Sequence, residues 1–197
     1  MKRFLLSILV LAAMAVPVYG DLDAARRAWR AGDVATATKI WTDLAIQGDA
    51  RAQHRLGHVA RTGRGGVAVD KAAALGWFRA AADQGHRGAQ VKLAEMLRNG
   101  EAGPAAPAEA AGWAARAAAQ GDETALQMLG AMHRDGEGVA RDLVKSWVFF
   151  ALAERHGHVT AGYDRLRVQR ALSRAERHRA ESQAASWTMA AGPGAEG

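Results

Sequence analysis

This chain has no cysteine, so no disulfide framework can hold it and stability must come from packing alone. The same absence rules out the acyl anchor of a bacterial lipoprotein. Aromatic residues make up only 6% of the 197 residues and prolines number four, while alanine is very common. Small residues let helices approach closely, so this composition favours an all-helical fold over a sheet rich in Val, Ile and Tyr. Catalytic signatures are missing too. There is no Gly-x-Ser-x-Gly elbow, no phosphate loop and no paired catalytic carboxylates. "GRGG" at 63–66 leads into a loop between helices rather than following a strand, so it does not read as a phosphate site. Ser173 is better placed as a helix cap, and Ser146, Ser182 and Ser186 fall inside helices. These features predict no enzyme and no cofactor.

A long apolar run occurs once, at the start. Lys2 and Arg3 precede an uncharged stretch from Phe4 to Val18, closing on Val18-Tyr19-Gly20. That is the pattern of a secretory signal peptide over residues 1–20. The run of 15 residues is short of the roughly 20 needed to span a bilayer. The expectation is a periplasmic protein with a mature start near Asp21 and no membrane span after cleavage. Losing Lys2 and Arg3 takes the formal charge from +6 to +4, too little for a nucleic-acid partner.

What the chain has in abundance is glycine, 22 residues of it, placed at a fixed period. Gly48, Gly85, Gly121 and Gly157 are spaced 37, 36 and 36 apart, following Gln47, Gln84, Gln120 and His156. Ala52, Ala89, Ala125 and Ala161 keep the same spacing. Leu56-Gly57, Leu93-Ala94 and Leu129-Gly130 follow, then Gly63, Gly100 and Gly136. Trp77, Trp113 and Phe149 sit eight before the terminal glycines. Such a period marks stacked repeats.

Each unit reads as two helices. The first opens at Asp49 and carries Ala52, Leu56, Val59 and Ala60 at helical spacing. The second is capped by Asp70 or Asp142 and buries the stripe Ala73, Trp77, Ala80 and Ala81. In the middle unit Ala106 takes the cap position and Pro107 the first turn. The small residue after Leu lets the next helix, or its Trp, lie against the backbone. Trp147 is off the tryptophan phase and is expected to be exposed. The layout is a capping helix pair at 21–48, three repeats at 49–85, 86–121 and 122–157, and capping helices at 158–189. The last of these opens on a Ser173–Glu176 capping box, and a disordered tail follows at 190–197. Five stacked helix pairs result.

The repeats "DARAQHRLGHVARTGRGGVAVDKAAALGWFRAAADQGH" and "DETALQMLGAMHRDGEGVARDLVKSWVFFALAERHGH" resemble Sel-one-like repeats, relatives of the tetratricopeptide repeat with a longer loop. The resemblance implies an all-α fold, a right-handed α/α superhelical solenoid of stacked antiparallel helix pairs. It also implies a scaffold that binds other proteins. The tyrosine the pattern expects late in the first helix is Ala60, Leu97 or His133 here. Some exported members bridge each repeat with cysteines and resemble penicillin-binding or weak β-lactamase proteins. That activity does not carry over to a chain without Cys.

The expected function is that of a non-enzymatic periplasmic adaptor holding a protein partner on the first helices. The candidate contacts are His54, Arg55, His58, Gln90, Lys92, Gln127 and Arg134. His54 and His58 stand four apart and could share a metal, but with no third ligand in the pattern they read as surface residues. "HGH" at 156–158 straddles a helix end and reads as structural. The alternative function is a cell-wall (peptidoglycan) binding or hydrolase-like protein. The C-terminal Arg155, Arg165, Arg167, Arg170, Arg174, Arg177 and Arg179 face only Glu154, Asp164, Glu176 and Glu181. They are either a solvated face or a contact for an anionic or cell-wall partner.

Overall fold

A computed structural model describes residues 19–187. Of the signal peptide expected over residues 1–20, the part up to Val18 lies outside the described residues, as does the tail at 190–197. Ten helices follow one another without a strand among the described residues: α1 (Tyr19–Arg30), α2 (Val34–Ile46), α3 (Ala50–Thr62), α4 (Lys71–Asp83), α5 (Arg87–Asn99), α6 (Pro107–Ala119), α7 (Glu123–Asp135), α8 (Leu143–Arg155), α9 (Ala161–Gln169) and α10 (Arg174–Ser186). None is long and apolar enough to cross a membrane.

Local chemistry sets these boundaries. Asp49, Asp70, Asp122 and Asp142 each accept backbone N–H bonds at a helix start. Ala106 makes no such bond, and Pro107 opens α6 instead. Each first helix ends on a left-handed glycine: Gly63, Gly100 or Gly136. The Ser173–Glu176 capping box forms as expected.

The buried stripe of the second helix lies one residue away from the sequence expectation. In the first repeat Ala74, Phe78, Ala81 and Ala82 are buried and Trp77 is only partly so, whereas Trp113 of the middle repeat is buried as expected. The reason is the small residue on the first helix. A Cβ added to Gly57 would stand 2.7 Å from the Phe78 ring, and one added to Gly130 would stand 2.7 Å from Phe150. The phenylalanine, not the tryptophan, therefore fills the space a glycine leaves. The middle repeat has Ala94 at the glycine position and Ala114 at the phenylalanine position, both fully buried. Methyl against methyl replaces hydrogen against ring. Ser146 is buried in the same layer and donates to the Gly130 carbonyl at 2.7 Å.

Trp147 is also corrected: it is buried, at 7% exposure. α9 covers it. Its Nε1–H donates to Gln169 at 3.3 Å, and the Arg165 guanidinium lies 5.4 Å over its ring. Consecutive helices pack from α1 to α9. The last helix departs from the expected fifth pair, since α10 folds back onto α8 rather than pairing with α9. Two apolar clusters result. One joins α1, α2 and α3, and the other runs from α4 to the C-terminal helices.

Candidate functional site: a cationic cleft at the first repeat

The polar positions of the first helices repeat, and in the inner repeats they face one another. Arg61, Arg98 and Arg134 occupy the same position in successive units. Arg61 grips Glu101 through Nε at 3.0 Å and reaches Glu95 at 3.1 Å. Arg98 binds Glu137 at 2.8 and 2.6 Å. Arg134 binds Asp135 at 2.7 Å and reaches Asp164 of α9 at 3.4 Å. Each guanidinium thus ties its helix to the next unit. The Arg61 hydrogen bond, joined by Lys71, holds the Glu101 carboxyl down at about 2. A second row is made of amides. Gln53 donates to the Ala45 carbonyl and accepts from Gln84 at 2.8 Å; Gln90 donates to Ala82 and accepts from Gln120 at 2.8 Å.

The first unit breaks this row of ion pairs at its outer edge. After the left-handed glycine the inner units carry Glu101 and Glu137, and the first carries Arg64. A cleft of about 700 Å³ opens there, lined by Arg26, Trp29, Arg30, Trp41, Arg55, His58, Val59, Thr62 and Arg64. α1, α2, α3 and the loop after α3 build it. Gly65 lets that loop approach, since a Cβ would meet Val34 at 2.7 Å and Trp29 at 3.3 Å. Trp29 and Trp41 pack with ring centres 5.3 Å apart and planes tilted by 47°, and form an apolar wall. Trp41 is buried, and its indole N–H has no acceptor. Arg26 is paired with Asp23 at 2.9 Å, but Arg30, Arg55 and Arg64 make no ion pair among the described residues. No described residue of the lining is acidic. Partial desolvation and then the nearby charge of Arg26 hold the Arg55 guanidinium below its ordinary value.

Behind the cleft lies a cluster of three histidines. His54 and His58 approach at 3.2 Å between Nε2 atoms, so one donates to the other. His86 stacks on His54 at 4.5 Å between ring centres. The sequence expectation of two surface histidines is corrected here: the rings are half-buried, a third joins them, and both His54 and His58 contact Phe78. His86 stands in the cap position that Asp49 and Asp122 hold elsewhere, and its Nδ1 accepts from the Ala89 N–H. Burial, then the charges of His86 and His58, lower His54 to about 3. Burial also lowers His58 and His86. No group of three or more His, Cys, Asp or Glu side chains among the described residues is arranged to hold a metal ion.

The seven candidate contacts therefore separate. Arg55 and His58 meet in the cleft, with His54 behind them. Gln90 is 3% exposed and its amide is spent between repeats, so it does not face a partner. Lys92 binds Glu95 at 2.9 Å. Gln127 and Arg134 both reach Asp164 at 3.4 Å. Arg26, Trp29, Arg30, Trp41 and Arg64 were not among the candidates. The signal was present in "RRAWR" at 26–30, but it lies outside the repeat frame. At the other end, Arg167, Arg170, Arg174, Arg177 and Arg179 are exposed and make no ion pair among the described residues.

A row of stacked helix pairs tied by repeating polar bonds, without strands among the described residues, defines a helical-repeat solenoid. The Sel1 repeat family profile matches residues 50–86, 88–122 and 124–158, more than half of the chain, and the chain belongs to that family. A Sel1 repeat protein from Oxalobacter formigenes has a similar crystal structure, with a TM-score of 0.68 at 24% identity over 73% of this chain and 59% of that one. A protective antigen present in uropathogenic Escherichia coli strains, displaying an SLR fold, is similar at a TM-score of 0.59 and 22% identity. That match covers 85% of this chain and 44% of the antigen, so this chain spans less than two thirds of either structure. Both likenesses concern the fold. No curated protein matches the chain.

Proposed function

We propose that this protein is an exported, non-enzymatic scaffold whose cleft between α1, α2 and α3 is the main contact for a protein partner. The observation that carries the reading is the cleft itself: three guanidiniums without an ion pair among the described residues, beside two packed indoles, on a repeat fold that pairs Arg61, Arg98 and Arg134 with acidic side chains of the next unit. Trp and Arg are the side chains that most often dominate binding energy at protein interfaces. Export rests on the signal-like first 20 residues. Fractionation of the native host with N-terminal sequencing tests it, and the expected product is a periplasmic chain starting near Asp21. For the scaffold, a photo-crosslinking residue is placed at Arg55 and, separately, at Arg177 in living cells. A discrete heavier adduct at the first position supports the reading. Adducts at Arg177 with none at Arg55 favour the second reading instead, an anionic or cell-wall partner at the unpaired arginines of α9 and α10.

A further inference from the structure

We infer that the cleft recognises an acidic segment of a protein partner, one in which carboxylates flank an apolar or aromatic side chain. The inference rests on the scaffold reading and names what the scaffold takes. Four observations converge on it.

The first is charge. Among the described residues Arg30, Arg55 and Arg64 line the cleft without an ion pair, and Arg26 has only the exposed Asp23. Crowding like charges costs free energy unless an anion enters, and planar guanidiniums match carboxylates in paired geometry. The second is the break in the row of ion pairs. Glu101 and Glu137 receive an arginine from the preceding unit, and Arg64 stands at the matching position of the first repeat. The solenoid therefore begins with the sign of that position reversed, and no described residue of the cleft neutralises it.

The third is shape and polarity. Trp29, Trp41 and Val59 give the cleft an apolar wall, which a bare inorganic anion would leave uncovered. A space of about 700 Å³ falls within the range of small-ligand sites and accommodates a few side chains rather than a folded domain. The fourth is the buried Trp41 N–H, which has no acceptor among the described residues, an uncommon cost. A neighbouring acidic segment is the chemistry that covers the indoles and pairs the guanidiniums together.

The test uses the full chain and an eight-residue peptide, acetylated and amidated, with Asp and Glu flanking a central Phe-Leu pair. Its affinity is measured by calorimetry beside three probes: the Asn/Gln counterpart, an acidic peptide with Gly-Gly at the centre, and inorganic phosphate. Micromolar binding of the first peptide is expected, at least tenfold weaker for the other peptides and for phosphate. The R55Q/R64Q variant should lose tenfold or more. R177Q/R179Q, with the same change in net charge at the far end, should lose less than twofold. Circular dichroism confirms that both variants are folded. Equal losses in the two variants overturn the inference, since they report general charge attraction. Phosphate binding as tight as the peptide also overturns it and leaves a simple anion site. No peptide binding overturns it as well. A partner crosslinked through Arg55 and retained in full by R55Q/R64Q defeats the acidic-segment inference while the scaffold reading stands. Absence of any crosslinked protein defeats the scaffold reading itself.

Discussion

The first repeat and the two inner repeats share one backbone plan and spend their polar residues differently. In all three units the arginine late in the first helix meets an acidic side chain of the next unit. Only the inner units place a glutamate, Glu101 or Glu137, after the left-handed glycine, where the first has Arg64. Lys92, which matches Arg55, is neutralised by Glu95, and Met128 follows in the third unit. At the position of His54 stand Val91 and Gln127; at that of His58 stand Glu95 and Ala131. The first unit alone gathers unpaired cations against indoles and sets three imidazoles behind them. A repeat protein stacks nearest neighbours, so an outer unit lacks one neighbour to pair with. α1 and α2 cover the apolar side of that gap and leave the charge unanswered. The proposed contact lies where the row of ion pairs runs out.

The packing beneath both regions should respond alike, and the largest effects belong there. Phe78→Ala and Phe150→Ala should each destabilise by about 3–5 kcal/mol in urea unfolding, as large aromatic truncations in cores do. Both rings are fully buried. Gly57→Ala alone should cost about 1–3 kcal/mol by driving a methyl into the Phe78 ring, less the small gain in helix propensity. In the Phe78→Ala background the same change should be neutral or stabilising, because the middle repeat already uses the pair Ala94 and Ala114. An equal cost of Gly57→Ala in both backgrounds would break the claim that ring and glycine are coupled.

Charge removal should separate the two regions. Arg98→Gln leaves Glu137 without its two hydrogen bonds and should cost about 1–2 kcal/mol, since the pair is partly buried. Arg55→Gln breaks no ion pair and should change stability by less than about 0.5 kcal/mol. Thermal melts at low and moderate salt read both. A loss at Arg55 as large as at Arg98 would show that the cleft arginine is structural and would erase the distinction.

The repeat frame was legible because its anchors obey steric rules that act on single residues. Asp49, Asp70 and Asp142 can only cap, and Gly63, Gly100 and Gly136 terminate helices in the left-handed region. The stripe of the second helix was read one residue off in the first repeat, although Trp113 of the middle repeat is buried as its phase implies. Trp77 and its counterparts repeat conspicuously, and the Phe78 column is interrupted by Ala114. Only the compensating Gly57 and Ala94 reveal which column is inside. Trp147 was misread because its cover comes from α9, outside the period. The cleft was half legible. Arg55 and His58 lie on a repeat helix, whereas Arg26, Trp29 and Arg30 lie on α1, where no period points to them. His86 was hidden by its role, since a cap position usually holds Asp or Ser and an imidazole there does not announce a neighbour 32 positions back.

The smallest effect is a pH response confined to the first repeat. Burial and then neighbouring positive charge lower His54 to about 3 from 6.5, and burial lowers His58 and His86. In the unfolded chain these rings take up protons near pH 6.5, but in the folded chain they do so only at lower pH. Between those values the unfolded state binds more protons. Stability is therefore full above about pH 6.5 and declines as the pH falls toward the folded values. The facing groups are Asp49, Arg51, Arg55 and Arg61 at α3 and Lys92 and Glu95 of α5; Glu95 opposes the shift at His58 and Asp49 that at His86. Glu101, with a carboxyl near 2, adds its own loss only below its ordinary value of 4.5. Melting between about pH 7 and pH 5 thus isolates the histidines. The melting temperature of the wild type should fall over that interval, and His54→Gln with His58→Gln should flatten the fall. Solvent screening of half-exposed rings keeps the effect modest. Hydrogen exchange at about pH 5 should loosen α3 before α7, because Gln127 and Ala131 do not titrate where His54 and His58 do. Acid loosening that begins in α7 would mean that the histidine cluster does not set the acid response of the solenoid.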